Sequence, residues 1–174
     1  MTSDHDFSVI VKEFAERVYN HAYRMLGSRE NAEEATQDVF LKIHKGLINF
    51  RGDAQISTWI WRITTNVCLT RLANKTKNTF PVEYDPINEI ADDNRTANPE
   101  KIFLCREDHE ELARSINKLS PKEAAAITLF YLEDMNYTEI SDILEIPMGS
   151  VATVLHRGRE KLRALILKSE GIKL

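Results

Sequence analysis

A chain of 174 residues with 43% hydrophobic side chains can build one domain or two small ones, and its net charge of −4 excludes a protein coated in basic surface. Five prolines, six glycines and no useful run of alternating polar and apolar residues predict an almost wholly helical chain. The start, Met-Thr-Ser-Asp-His-Asp, has no basic opening and no apolar h-region, and no apolar run approaches the roughly 20 residues of a membrane span, so a cytoplasmic protein is expected.

Phe7, Ile10, Phe14, Val18, Ala22 and Met25 recur every three or four residues and predict a first long helix, stopped at Gly27-Ser28. Ser28 is placed to cap a second helix running to about Gly46, with Ala32, Ala35, Val39, Phe40 and Ile43 inward. Phe50 to Gln55 reads as a loop. Ser57 is then expected to cap a third helix through Ile60, Ile63 and Val67 to about Leu72. Each helix is too short to stand alone, so the three should form one bundle.

From Asn74 to about Ala97 the periodicity vanishes in a polar stretch with two prolines and acids at Glu83, Asp85, Glu89, Asp92 and Asp93, the composition of a linker. Asn98-Pro99-Glu100 opens another helix, with Ile102, Cys105, His109, Leu112, Ile116 and Leu119 along its buried stripe. Ser120-Pro121-Lys122-Glu123 is a capping box for the next, with Ile127, Phe130 and Tyr131 inside. Asn136 and Glu139 supply one more cap. The predicted organisation is all-α: two small helical domains, 1–74 and 98–174, joined by a flexible acidic linker at 75–97. Cys68 and Cys105 are isolated within helical patterns and read as buried free thiols of a reducing cytosol.

Residues 137–168 are the most informative stretch. Ile140, Ile143 and Leu144 mark one face of a short helix. The run Glu145-Ile146-Pro147-Met148-Gly149 breaks it, because proline lacks a donor and glycine frees the backbone. The pattern resumes at Val151, Val154 or Leu155, Leu162 and Leu165. From Arg157 to Lys168 the second helix sets Arg157, Arg159, Lys161, Arg163 and Lys168 against Glu160 alone. That is the layout of a helix-turn-helix whose second helix enters the major groove. Residues 1–74, 75–106 and 107–174 carry net charges of 0, −1 and −3, so this basic helix sits in the acidic half. Such a balance suits DNA binding that draws affinity from a larger complex.

Two motifs carry a family resemblance. AEEATQDVFLKIHKGL followed by FRGDAQISTWIWRITTN in the N-terminal half, and LSPKEAAAITLFYLEDMNYTEISDIL followed by IPMGSV and LHRGREKLR in the C-terminal half, resemble a bacterial RNA polymerase sigma factor of the extracytoplasmic-function (ECF) group. The resemblance implies a non-enzymatic specificity subunit without cofactor or metal. Its implied partners are core RNA polymerase (the β′ coiled coil and β flap), promoter DNA and an anti-sigma factor. The first domain would bind the coiled coil and open the −10 element, and the second would read the −35 element as duplex.

On this resemblance the loop Phe50, Arg51, Gly52, Asp53, Ala54 and Gln55 offers hydrogen bonds to a flipped base. Asn66 is expected to read a base edge, while Arg62 and Arg71 hold phosphates. Trp59 and Trp61, two positions apart on a helix, cannot both face inward. Trp59 is expected to be the structural one and Trp61 to stack at the bubble edge. Glu34, Gln37, Asp38, Leu41 and Lys42 would line the polymerase-facing side of the second helix. In the major groove Ser150, Ala152, Thr153, His156 and Arg157 would do the reading, with Arg157 bidentate to guanine. Arg159, Lys161 and Arg163 would meet phosphate or solvent. The chain departs from the family pattern at Ala152 and Val154, which are usually basic. It departs again at Gly158, usually alanine, at Glu145, where the turn commonly has glycine, and at Ser141, four residues before it.

Two other readings compete. A stand-alone operator-binding regulator leaves the tryptophan segment without a purpose. An enzyme needs a cluster that His5, His21, His44, His109 and His156 do not form, and Cys105 with His109 supplies only half of a tetrahedral metal site.

Overall fold

The computed structural model describes residues 6–52, 54–77 and 110–169, and all regular structure among them is helical. Helix α1 spans Phe7–Leu26, α2 Arg29–Leu47 and α3 Ile56–Lys77. Residues 110–117 form α4, followed by α5 (Pro121–Tyr131), α6 (Tyr137–Leu144) and α7 (Met148–Ser169). The expected cap at Asn98, the stripe residues Ile102, Cys105 and His109, and all of the expected linker beyond residue 77 lie outside the described residues.

Asp6 opens α1 by accepting the Ser8 N–H at 2.9 Å. Gly27 closes it in the left-handed region (φ 69°), its N–H returning to the Tyr23 carbonyl. Glycine is required there twice over, since a Cβ would also stand 2.7 Å from the Asn117 side chain. Ser28 caps α2 as expected. Ser57 does not cap α3: the helix begins one residue earlier, with the Trp59 N–H on the Gln55 carbonyl at 3.1 Å. It also continues to Lys77, past the boundary expected at 74.

These three helices bury Ile10, Phe14, Val18, Ala22 and Met25 against Ala32, Ala35, Val39 and Ile43 and against Ile60, Trp61, Val67 and Cys68. Phe40, expected inside, is only half-buried, an edge residue packed T-shaped on Phe7. In the second half α5 buries Ala124, Ala125, Ala126, Ile127 and Leu129 beneath Ile140, Ile143 and Leu144 of α6 and Val151 and Leu155 of α7. Tyr131 departs from expectation. It ends α5 with 48% of its surface exposed and its ring edge-on to Phe130.

The turn of the helix-turn-helix is shorter than its sequence suggests. Met148 and Gly149 already belong to α7, so only Glu145, Ile146 and Pro147 connect the helices. Glu145, not a glycine, takes the left-handed conformation (φ 51°, ψ 48°). Ser141 holds the reversal, its carbonyl accepting the Ile146 N–H at 3.2 Å and its hydroxyl donating to the Ile146 carbonyl at 2.7 Å. A small hydroxylated residue one turn back thus steadies a backbone shape that disfavours a side chain.

The halves touch. Helix α3 packs on α6 and α5, and α1 packs on α5. Arg17 donates through Nε and Nη2 to Glu133 Oε2 (3.1 and 2.9 Å), the Thr58 hydroxyl donates to Glu139 Oε1 (2.9 Å), and Asn117 Nδ2 donates to the Met25 carbonyl (3.0 Å).

Candidate nucleic-acid interface

Helix α7 divides cleanly into two sides. Val151, Leu155 and Gly158 are buried, while Ala152, Thr153, His156 and Arg157 are exposed and Ser150 is half-buried. This is one open edge over the first two and a half turns, where a recognition helix meets base edges. The buried side explains Gly158: a Cβ there would lie 2.9 Å from Ile127 Cγ1, so its absence lets α7 close on α5.

Further along, two of the cations are engaged within the protein. Lys161 Nζ sits 2.8 Å from both Glu123 oxygens, and Arg159 Nη1 donates to the Tyr131 hydroxyl at 3.4 Å. Burial works to raise the Glu123 carboxyl, but hydrogen bonds from Lys161 and Ser120 outweigh it and hold the group below its ordinary range. The expected phosphate contact at Lys161 is therefore a bridge from α7 to the start of α5.

In the N-terminal half the loop before α3 is open. Arg51, Gly52, Ala54 and Gln55 are exposed, Gly52 takes φ 77°, and Asp53 lies outside the described residues. Phe50 is half-buried with its ring 5.1 Å from that of Trp59. Trp59 lies across Gly46, where a Cβ would come within 2.8 Å of the indole. This glycine makes room for the aromatic pair beneath the loop.

The two tryptophans exchange their expected burial. Trp61 is the structural one, fully buried, 6.3 Å from Phe14 and 5.2 Å from His21 between ring centroids, with the Arg17 guanidinium 5.4 Å from its ring. Trp59 is the half-buried one at the loop. The reason is phase: Ile60, Trp61, Thr64, Thr65 and Cys68 form the continuous buried stripe of α3, and Trp59 falls outside it. Trp61 also imposes a polar cost, because its Nε1 and His21 Nδ1 are buried without a hydrogen-bond partner. Burial first, then the nearby Arg24 charge, pushes the His21 imidazole down to about 3, so the ring is neutral.

Asn66 is exposed, as a base reader must be. The arginines beside it are not open. Arg71 donates to Glu34 Oε2 at 2.9 Å and to Asp38 Oδ2, which ties α3 to α2. Arg62 is half-buried, 4.0 Å from Asp142 of α6, with its Nε unpaired. On α2, Glu34, Gln37, Leu41 and Lys42 are exposed and Asp38 half-exposed, forming one ridge in which Leu41 shows 58% of its surface. Arg71 holds two acids of that ridge in place.

Sequence reasoning missed Arg17, Thr58, Glu133 and Asp142, because each acquires its partner only when residues 80 or more positions apart meet across the halves. The one available signal was Glu133, an acid that directly follows the apolar run 129–132. No cluster of three or more potential metal ligands occurs among the described residues, and the Cys105–His109 pair lies outside them. Cys68 is a buried free thiol, pushed up to about 12 by burial and so unreactive at neutral pH.

Residues 10–78 match the Sigma-70 region 2 family and residues 109–162 the Sigma-70 region 4 family. The chain is 32% identical to the ECF RNA polymerase sigma factor SigE of Mycolicibacterium smegmatis over 91% of its own length and 61% of that protein. It is also 32% identical to the ECF RNA polymerase sigma factor SigW of Bacillus subtilis, covering 90% of this chain and 87% of that one. Its fold is similar to that of the sigma factor RpoE of Bartonella quintana, solved with the anti-sigma factor NepR (TM-score 0.72, 16% identity, 92% of this chain and 96% of the other). A chain that carries both regions in this order and aligns with SigW across nine tenths of its length is a member of the ECF RNA polymerase sigma factors.

Proposed function

We propose that the chain binds core RNA polymerase and directs it to promoters, acting as an initiation factor while the polymerase performs the chemistry. The second half reads the −35 element as duplex through Ser150, Ala152, Thr153, His156 and Arg157. The observation that carries this is the open edge of α7, where four of these five residues are exposed over a buried, glycine-relieved back. The first half takes the opened −10 strand on the Phe50–Gln55 loop, with Trp59 beneath it and Asn66 on the adjoining helix. Base stacking on an aromatic ring contributes about 1–3 kcal/mol, comparable with the cost of losing a stack in the duplex. The ridge Glu34, Gln37, Asp38, Leu41 and Lys42 is the polymerase surface. Its single exposed leucine supplies an apolar anchor among charges that set orientation.

The work is done in the cytoplasm, where polymerase is, and no described helix is long and apolar enough to cross a membrane. RpoE of Bartonella quintana was solved with an anti-sigma factor, and CnrH, at TM-score 0.61 and 21% identity, with the cytosolic domain of CnrY. Control by such a protein is part of the proposal. The decisive experiment reconstitutes the chain with core polymerase and maps transcript starts on genomic DNA. Defined starts sharing two upstream elements are expected. A chain that binds duplex DNA specifically without polymerase, and adds no starts to core enzyme, would make it a stand-alone regulator.

A further inference from the structure

The first two turns of α7 carry no charged side chain. Between Met148 and Leu155 there is neither Lys, Arg, Asp nor Glu, and the first cation is Arg157. Gly149, Ala152, Thr153, His156 and Arg157 are all exposed and fall at the spacing of one helix edge. A Cβ at Gly149 would meet nothing within 4 Å, so the head of that edge is clear of the protein's own side chains. Val154 is half-buried against the core and takes no part in the edge. Ala152 has no polar side-chain atom to offer a base, and what it presents is a methyl group. Thr153 presents a second methyl beside its hydroxyl. In the major groove one base alone carries an apolar group, the C5 methyl of thymine, and alanine and threonine methyls are suited to meet it.

We propose that Ala152 and Thr153 select thymine through its C5 methyl, so that the −35 element of this protein sets thymine about two base pairs from a guanine held by Arg157. The inference rests on the reading of α7 as the −35 helix. Ala152 and Thr153 precede Arg157 by five and four residues. That is roughly 6–7.5 Å of helix, against a base-pair step of about 3.4 Å. At position 152 the family pattern has a basic residue, so this reading belongs to the chain and not to the family as a whole. A basic residue there would add to the salt dependence of binding by displacing counterions from phosphate. A methyl contact displaces none, and its contribution comes from apolar surface removed from water. One edge thus holds two unlike devices, apolar contact for thymine and paired hydrogen bonds for guanine.

The test uses the full chain with core polymerase, on a synthetic duplex carrying a promoter recovered by start mapping. Each thymine of the −35 element, on either strand, is replaced in turn by uracil, which keeps every hydrogen-bonding group and lacks only the methyl. At one or two positions uracil should lower transcription at limiting holoenzyme by about three- to fourfold, the contribution of one buried methyl-sized group. The factor should be the same at two salt concentrations. At those positions 5-methylcytosine should exceed cytosine by a similar factor. Thr153→Ser and Ala152→Gly should each abolish the uracil effect at one position and leave the other. Both residues are exposed, so neither change touches the core. Serine keeps the test informative if glycine frays the helix at 152. An element without thymine, no uracil effect at any position, or an effect that persists in both variants would overturn methyl reading. Arg157→Ala judges the −35 reading separately, and should relax preference for one guanine by about tenfold. If that relaxation appears while uracil is silent, α7 reads the element by other contacts. If neither appears, or no start depends on the chain, the reading of α7 falls and this inference with it.

Discussion

The open edge of α7 and the side of α3 proposed to face the opened strand are built to opposite plans. On α7 four of the five residues proposed to read bases stand in solvent, and the supporting side chains point the other way. On α3 Trp61 is in the core, Arg71 is committed to Glu34 and Asp38, Arg62 is half-buried beside Asp142 of α6, and of the residues expected at the strand only Asn66 and the loop before the helix are open. The contrast follows from what each face must bind. A groove reader meets closed duplex and needs a rigid helix with polar atoms in water. A face for unstacked bases needs apolar and cationic groups, which are costly to expose when empty and readily find partners within the protein.

The sharpest break in this comparison is Trp61→Ala. A fully buried indole replaced by alanine should destabilise the chain by about 3–5 kcal/mol, read by urea unfolding. Trp59→Ala should cost less stability and act chiefly on promoter opening, measured by permanganate footprinting. A Trp61→Ala chain as stable as wild type and defective only in opening would return Trp61 to the bubble.

Next comes pH. His21 has a folded value of about 3 against an ordinary 6.5, so its contribution is fully present above 6.5 and is lost as pH falls toward 3. The loss should approach roughly 1.4 kcal/mol per pH unit within that window. Glu133 opposes it: with a raised value it favours the folded chain once pH falls through its folded value. Urea midpoints between pH 7 and 5 should drop for wild type and stay flat for His21→Leu. Equal slopes in the two proteins would mean that the imidazole is not the group responsible.

The third test separates two cations on one helix. Arg157→Ala should cost about 1–3 kcal/mol of discrimination at one position of the −35 element. Lys161→Ala should instead remove up to about 1 kcal/mol of stability, through Glu123, and leave the salt dependence of DNA binding unchanged. A salt slope lowered by about one unit in Lys161→Ala would show that the lysine leaves Glu123 for phosphate.

Smallest is Glu145→Gly. Relief of a left-handed side chain, set against the greater freedom of glycine when unfolded, should leave a gain of about 1 kcal/mol or less in thermal stability. A loss instead would mean that Ser141 had already removed the strain.

What could be read in advance was whatever a helix declares locally. The caps at Ser28, Ser120 and Asn136, the stripe of α1, and the open edge of α7 depend on residues within two turns of each other. The errors came where a distant surface decides. Periodicity said that only one of Trp59 and Trp61 could be core, but the choice depends on where α1 and α2 lie. Arg71 looked like a phosphate ligand because its acids lie 33 and 37 residues away. The left-handed position of the turn was legible from the resemblance, which has glycine where Glu145 stands, but the Ser141 hydroxyl bond that steadies a side chain there was not.

Gly158 carries a consequence beyond its own neighbourhood. A missing methyl group on the hidden side of α7 sets how deeply that helix beds on Ile127, and so how far its opposite edge stands out from the domain. Substitution by alanine would lift the helix by a few tenths of an ångström or roll it about its axis, displacing His156 and Arg157 together without altering either. If the open edge of α7 reads bases as proposed, base preference is calibrated from behind, and drift in the core alone can retune it.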